Sequence, residues 1–257
     1  MNALGEFQKN KSLIWTLAVT DLKLRYRNSV LGFFWTVLEP LLMLSVFYLV
    51  FSYLLKTDIE NYPLFLLLGI ILWNSFSRGT TMSSNCILSR GNIVLSVNFS
   101  KIVLPISSSI TSFLMLSFEF LIFAVFLLVF QFVPSLTTML LPIVIIPLFL
   151  ITVGIGMILS VLNVMYRDVG YIWTVILQAG FFLTPVIYML DILPQELQMV
   201  LFFNPLSHIL TWARDFVLYG NIPQGESVAY TYIISVIILI IGIFAFRKFQ
   251  YQMVDKL

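Results

Sequence analysis

The sequence predicts an all-α, polytopic membrane protein with six transmembrane helices. It adds an N-terminal interfacial amphipathic helix and a short outer helical hairpin before the last span. Three observations carry this. The 257 residues are 60% hydrophobic and only 10% charged, where soluble domains carry about 25% charged residues. The mean hydropathy is +1.01, and several apolar runs reach the roughly 20 residues that a bilayer-crossing helix needs. The cations are also segregated along the chain, which sets orientation.

The first element is the stretch up to residue 27. The apolar piece Ser12 to Thr20 is short, lacks a small-x-small cleavage pattern and runs at once into DLKLRYR. It does not read as a cleaved signal. Residues 5–27 read as a helix in the interface, with Trp15 and Tyr26 at headgroup depth and Lys23, Arg25 and Arg27 facing phosphates. A disordered basic tail is the alternative.

Span 1 covers about 30–55 and is interrupted only by Glu39-Pro40. The polar loop KTDIENYP follows, with Pro63 as a helix-start signal. Span 2 starts at 62 and is apolar to Phe76; the weaker SRGTTM extends it to about 82. The segment from Arg78 to Lys101 is read as a polar loop. Span 3 covers 102–133 and contains Glu119. After the charge-free turn QFVPSLTT, span 4 covers 139–162. A tight turn around Arg167-Asp168 leads to span 5, 172–190. Residues 191–227 hold two short apolar stretches split by Asn204-Pro205, neither long enough to span at about 1.5 Å per residue. A re-entrant hairpin and two helices lying flat on the outer leaflet both fit. Span 6 covers 228–246, completing a single transmembrane domain over 1–257.

Six spans put both termini on one side. With the termini inside, that side holds Lys9, Lys11, Lys23, Arg25, Arg27, Arg78, Arg90, Lys101, Arg167, Arg247, Lys248 and Lys256. Only Lys56 and Arg214 fall outside. The Lys/Arg bias therefore predicts cytoplasmic N- and C-termini.

Chemistry-bearing patterns are few. Cys86 is the one cysteine and His208 the one histidine, which excludes an internal disulfide framework and Cys-rich metal patterns. There is no GxxxxGK[ST], hence no phosphate cradle for ATP in this chain. His208, among apolar residues, reads as a packed histidine rather than a base. Glu39 and Glu119 lie within spans, where an ionised group costs about 2.5–3.5 kcal/mol and must face protein or water. A proton relay or a gating contact is one reading, and a protonated or hydrogen-bonded packing residue near the membrane end the other. With Arg78 placed in a loop, no span contains a partner cation, which argues against the relay.

Aromatic residues recur at seven-residue spacing: Phe34, Leu41 and Tyr48, with Phe51 one turn further, and Thr174, Phe181 and Tyr188. Seven residues is nearly two helical turns, so each set lies on one stripe. Such stripes fit either a packing seam or a path for sugars, whose apolar ring faces stack on aromatic rings.

Three blocks then resemble a known family. In DLKLRYRNSVLGFFWTVLEPLLM the carriers are Asp21, Arg25, Tyr26, Ser29, Leu31, Gly32, Trp35 and Pro40. In NVMYRDVGYIWTVILQAGFFLTPVIY they are Arg167, Asp168, Thr184, Pro185, Val186 and Tyr188. In FFNPLSHILTWARDFVLYGNIP they are Asn204, Pro205, Leu206 and Arg214. Together they resemble the permease subunits of ABC exporters for O-antigen-type polysaccharide.

The resemblance implies a half-transporter in the inner membrane, not an enzyme. Two copies would form the channel, and two separate ATP-binding-cassette subunits would use ATP and Mg on the cytoplasmic side. The cargo would be a glycan on a polyprenyl diphosphate lipid, with no nucleic acid involved. A coupling helix would fall at 89–98, in Ser89, Arg90, Gly91, Asn92, Ile93, Val94 and Leu95. Lys23, Arg25 and Arg27 would meet the headgroup. The stripes Phe34, Tyr48, Phe51 and Thr174, Phe181, Tyr188 would line the pathway. Rival readings are an ABC exporter of a small hydrophobic molecule or lipid, and a proton-coupled carrier using Glu39 and Glu119.

Overall fold

A computed structural model describes residues 10–25, 27, 30–54, 59–97, 99–254 and 256. Residues 5–9 of the expected interfacial helix, Tyr26 at headgroup depth, Ser29, the loop residues 56–58 and Asn98 lie outside them. The described residues are helical with no strand. In chain order they form α1 (Lys11–Arg25), α2 (Trp35–Tyr48), α3 (Tyr62–Asn85), α4 (Gly91–Ser96), α5 (Val103–Val129) and α6 (Leu141–Met165). There follow α7 (Val169–Leu183), α8 (Gln195–Phe202), α9 (Pro205–Arg214) and α10 (Gly225–Val254). Helix α2 runs on as π-helical turns over Leu49–Leu54, and α9 over Asp215–Tyr219. Val103–Val129, Leu136–Met165 and Gly225–Gln250 are each long and apolar enough to cross a membrane. Trp35–Phe51 and Val169–Leu183 are apolar but shorter.

Helix α3 is the axis of the bundle. It packs on α2, α5, α6, α7 and α9, and every residue from Leu64 to Leu72 is buried. Pro63 lies in its first turn, where a missing N–H costs nothing. Its far end runs through SRGTTMSSN to Asn85, a little past the expected residue 82, so Arg78 lies in the helix and not in the loop that the sequence suggested to begin there. The hydroxyls there are satisfied inside the protein. Thr80 donates to the Phe76 carbonyl at 2.9 Å, and Ser83 to the Pro105 carbonyl at 3.1 Å. Ser112 of α5 donates to the Ser75 carbonyl at 2.8 Å. The Ser-rich start of α5 thus faces the Ser-rich end of α3, and small side chains bring the two backbones close.

A second close approach joins α6 to α10. A methyl group on Gly154 would lie 2.7 Å from the Ile238 carbonyl oxygen, and one on Gly242 would meet the Gly154 carbonyl. This is the small-residue contact by which helices associate in apolar surroundings.

Helix α7 ends sooner than the sequence suggested. It stops at Leu183 rather than running to 190, because Pro185 holds Thr184 in extended backbone (φ −109°, ψ 142°). Asn163 pins the tight turn before α7: its side chain donates to the Ser84 carbonyl at 3.1 Å and accepts from the Gly170 amide at 3.0 Å. The segment 191–227 contains two short helices, α8 and α9. Asn204 caps α9, accepting from the Leu206 amide at 3.1 Å, and Pro205 opens it. The last helix, α10, extends beyond the expected 228–246 at both ends.

Candidate functional site

Helices α2 and α7 flank one face of α3, and a groove of about 410 Å³ runs between them. Phe47, Trp73, Phe181 and Phe182 give it aromatic walls, and Asn74, Ser77, Thr81, Thr174 and Gln178 give it amide and hydroxyl groups. The rings form one chain of contacts. Phe47 stacks on Phe181 at 5.3 Å, and Trp73 meets Phe181 edge-on at 6.0 Å. Trp173 locks α7 in place by donating to the Thr80 hydroxyl at 3.1 Å. Phe181 is fixed from two helices, and the polar groups lie along α3 and α7 within the same groove.

The groove shares Asn74, Ser77 and Thr81 with a smaller cavity of about 200 Å³ toward the α1 end of the bundle. Arg25, Glu39 and Arg78 line that cavity. Arg78 was expected in a loop; it is a buried residue of α3. Its guanidinium pairs with Glu119 of α5 at 2.8 Å and contacts the Ser112 hydroxyl at 3.4 Å. A partner cation for Glu119 is therefore present inside the bundle. Glu119 Oε2 is buried with no hydrogen-bond partner among the described residues.

The predicted residues divide. Thr174 and Phe181 line the groove. Phe51 touches it through Phe47, ring centroids 6.3 Å apart. Phe34, in the short 3-10 turn before α2, and Tyr48, the last residue of α2, are exposed and are not among the lining residues. Tyr188 lies beyond α7, where its hydroxyl donates to the Phe182 carbonyl at 3.0 Å. Spacing revealed a stripe on α2 but not its phase, so Phe47 was missed in favour of its neighbour. Trp73, Asn74 and Ser77 were missed because nothing in the sequence shows which face of α3 meets α2 and α7. Lys23, Arg25 and Arg27 are all exposed, and only Arg25 reaches the cavity.

Within the segment expected to couple to the motor, Arg90 turns inward and forms an ion pair with Asp21 of α1. Val94 is buried, whereas Ser89, Asn92, Ile93 and Leu95 are exposed. Gly91, half-buried, opens α4. Ile93, Leu95 and the adjacent Val97 thus offer an apolar surface at the end of the bundle, on a helix tied to α1 through Arg90.

At the opposite end, Arg214 is buried rather than solvent-facing. It donates to the Pro185 and Val186 carbonyls at 2.6 Å each and to the Phe65 carbonyl at 3.3 Å, and it lies 3.4 Å over the Phe65 ring. His208 packs against Phe202, Trp212 and Tyr230. Its Nε2 lies 2.7 Å from the Phe202 carbonyl, and burial pulls its pKa below the usual histidine value.

The chain also matches known proteins. Residues 12–218 match the family model for the ABC-2 type transporter membrane domain. The chain is 30% identical over 247 residues to an O-antigen export system permease protein, RfbA, of Klebsiella pneumoniae, covering 95% of both chains. It is 29% identical to the protein of the same name from Myxococcus xanthus, covering 91% of each. It is 24% identical to the polysialic acid transport protein KpsM of Escherichia coli, covering 99% of this chain and all of that one. A family match over most of the chain, with full-length relatives, places this protein in the ABC-2 type transporter family as a membrane permease.

Proposed function

We propose that this chain is the channel-forming subunit of an ABC exporter that moves a polyprenyl-diphosphate-linked polysaccharide across the inner membrane. The observation that carries the reading is the groove between α2, α3 and α7. Aromatic rings there alternate with amides and hydroxyls, as recognition of sugar rings requires, and the groove runs into a cavity holding two guanidinium groups. Relatives named for O-antigen export and polysialic acid transport, matched along their whole length, support the substrate class.

In this reading α2, α3, α5, α6, α7 and α10 are the six spans, and both termini are cytoplasmic. Placing Arg78 within α3 leaves the Lys/Arg excess on the α1 side intact. Two copies face each other across α2 and α7, whose exposed apolar residues need a covering surface. Two ATP-binding subunits dock at the cytoplasmic end, where ATP and Mg are used by those chains. The diphosphate enters from the α1 end, where Arg25 offers charge-assisted hydrogen bonds, with Arg27 and Lys23 nearby in sequence.

Two outcomes follow. Arg25→Ala combined with Arg27→Ala is expected to cut glycan display about tenfold or more at unchanged membrane level, measured by surface labelling in a permease-null strain. Wild-type display would remove the headgroup role. Ile93→Asp with Leu95→Asp is expected to abolish export and to lose the ATPase subunit on co-purification, since charges in an apolar docking face cost about 1–3 kcal/mol or more each. Retained co-purification would place the docking surface elsewhere.

A further inference from the structure

The groove does not end the series of sugar-compatible surfaces. Asn204 donates to the Thr184 hydroxyl at 3.1 Å, which fixes the turn between α8 and α9 directly beyond the last residue of α7. A separate cavity of about 630 Å³ begins at that turn, within the range of roughly 300–1,000 Å³ typical of small-molecule sites. Phe202 and Phe203 form its apolar wall, and both are largely exposed. Asp191, Gln195 and Gln198 supply a carboxylate and two amides.

Ser207 supplies the second, independent observation. Ser207 is one of the lining residues, and its side-chain oxygen is buried with no hydrogen-bond partner among the described residues. A buried hydroxyl left without a partner costs about 1–3 kcal/mol, and a ligand hydroxyl would relieve that cost. None of the lining residues is Lys or Arg, and one is Asp. That charge pattern disfavours a diphosphate or an anionic lipid head and suits a neutral, hydroxyl-rich ring with apolar faces.

We propose that the cavity between Asp191 and Ser207 is an exit-side sugar site that holds one or two units of the emerging chain after it leaves the groove. The site rests on the polysaccharide-export reading. Phe203 stacks on a ring face, while Asp191, Gln195 and Ser207 take ring hydroxyls. Holding the leading end at the outer side would oppose backsliding between strokes of the motor.

The site can be read separately from the groove with a reporter on its rim. The native Cys86 is buried, so a Met199→Cys chain carries one reactive thiol, on an exposed rim residue. The full chain with its ATPase, in nanodiscs, is treated with a maleimide. The probe is a set of oligosaccharides cut by mild acid from the lipid-linked glycan of the source cells. The expected result is labelling slowed at least fivefold by the oligosaccharides. Protection should be lost in Met199→Cys chains that also carry Asp191→Ala with Gln195→Ala, or Ser207→Ala. The Asp191 and Gln195 changes are at exposed positions and spare the fold. No protection in the Met199→Cys chain, protection unchanged in the variants, or equal protection by polyprenyl diphosphate without sugar would each overturn the site. Export by the same Met199→Cys complex separates the two levels. Export without protection overturns the site alone, and loss of both overturns the export reading as well.

Discussion

Replacing Arg214 with alanine is expected to remove most of the folded protein. The side chain holds three carbonyls from two separate segments: Pro185 and Val186 beyond α7, and Phe65 within α3. Hydrogen bonds to a charged group contribute about 1.5–3 kcal/mol each, and the native state as a whole has only about 5–15 kcal/mol to lose. The substitution would also leave the Pro185 and Val186 carbonyls, held in a water-poor site, without their donor. Lysine should not rescue it, because one ammonium cannot reproduce the planar fork that reaches adjacent carbonyls while lying over the Phe65 ring. Gly69→Leu should resemble Arg214→Ala, since a side chain there would meet the guanidinium: the first carbon alone would lie 2.5 Å from Arg214 Nη2. Detergent-solubilised protein followed by size-exclusion chromatography and thermal melting reads the effect. A wild-type profile for Arg214→Ala would show that the hairpin is held by other contacts, such as the three hydroxyls of Ser135, Thr137 and Thr138 on the Phe216 carbonyl.

The second large effect is at Arg78 and Glu119. Removing one member of a buried ion pair leaves the other charge uncompensated and costs about 3–5 kcal/mol. Arg78→Ala is therefore expected to destabilise the α3–α5 contact by about that amount, and Glu119→Ala similarly. The double change Arg78→Met with Glu119→Gln removes both charges at similar volume and should recover most of the lost stability. A thermal double-mutant cycle measures this, with strong non-additivity as the expected outcome. Export should not recover with stability, because Arg78 also lines the cavity below the groove. Additive single-mutant effects would mean that the 2.8 Å contact carries no coupling in the folded protein.

Several features were legible in the sequence because they depend on composition and local chemistry. Long apolar runs marked α5, α6 and α10. The Asn204-Pro205 signal marked the break between α8 and α9, and their length marked them as too short to span. Other features depend on what a neighbour supplies. The stretch 77–85 looks like a loop until Ser112, Pro105 and Ser109 are placed opposite its hydroxyls. Arg78 and Arg214 read as solvent or headgroup cations because nothing in their local sequence shows Glu119 or the carbonyls of Pro185 and Val186.

The stripes differ from the lining of the groove in two distinct ways. On α7, Thr184-Pro185 already carried the signal that a helix stops before proline, so Tyr188 should not have been counted on the same face as Phe181. On α2, a seven-residue period defines a face but not its direction, so Phe47 against Phe181 was invisible without α7 in place. The coupling assignment of 89–98 rests on resemblance alone. The segment's exposed Ile93 and Leu95 fit a docking surface, while the inward pairing of Arg90 with Asp21 joins that surface to α1.

Transport itself gives the most direct test. The chain and its ATPase, reconstituted into liposomes with the source cell's lipid-linked glycan on the outer leaflet beside the nucleotide-binding subunits, should move glycan to the lumen on addition of ATP and Mg. The moved fraction would become resistant to an added glycosidase. The groove account predicts ATP-dependent protection that falls about tenfold or more in Phe181→Ala with Trp73→Ala, with complex assembly unchanged. Protection that is absent in the wild type, or equal in the groove variant, would contradict it.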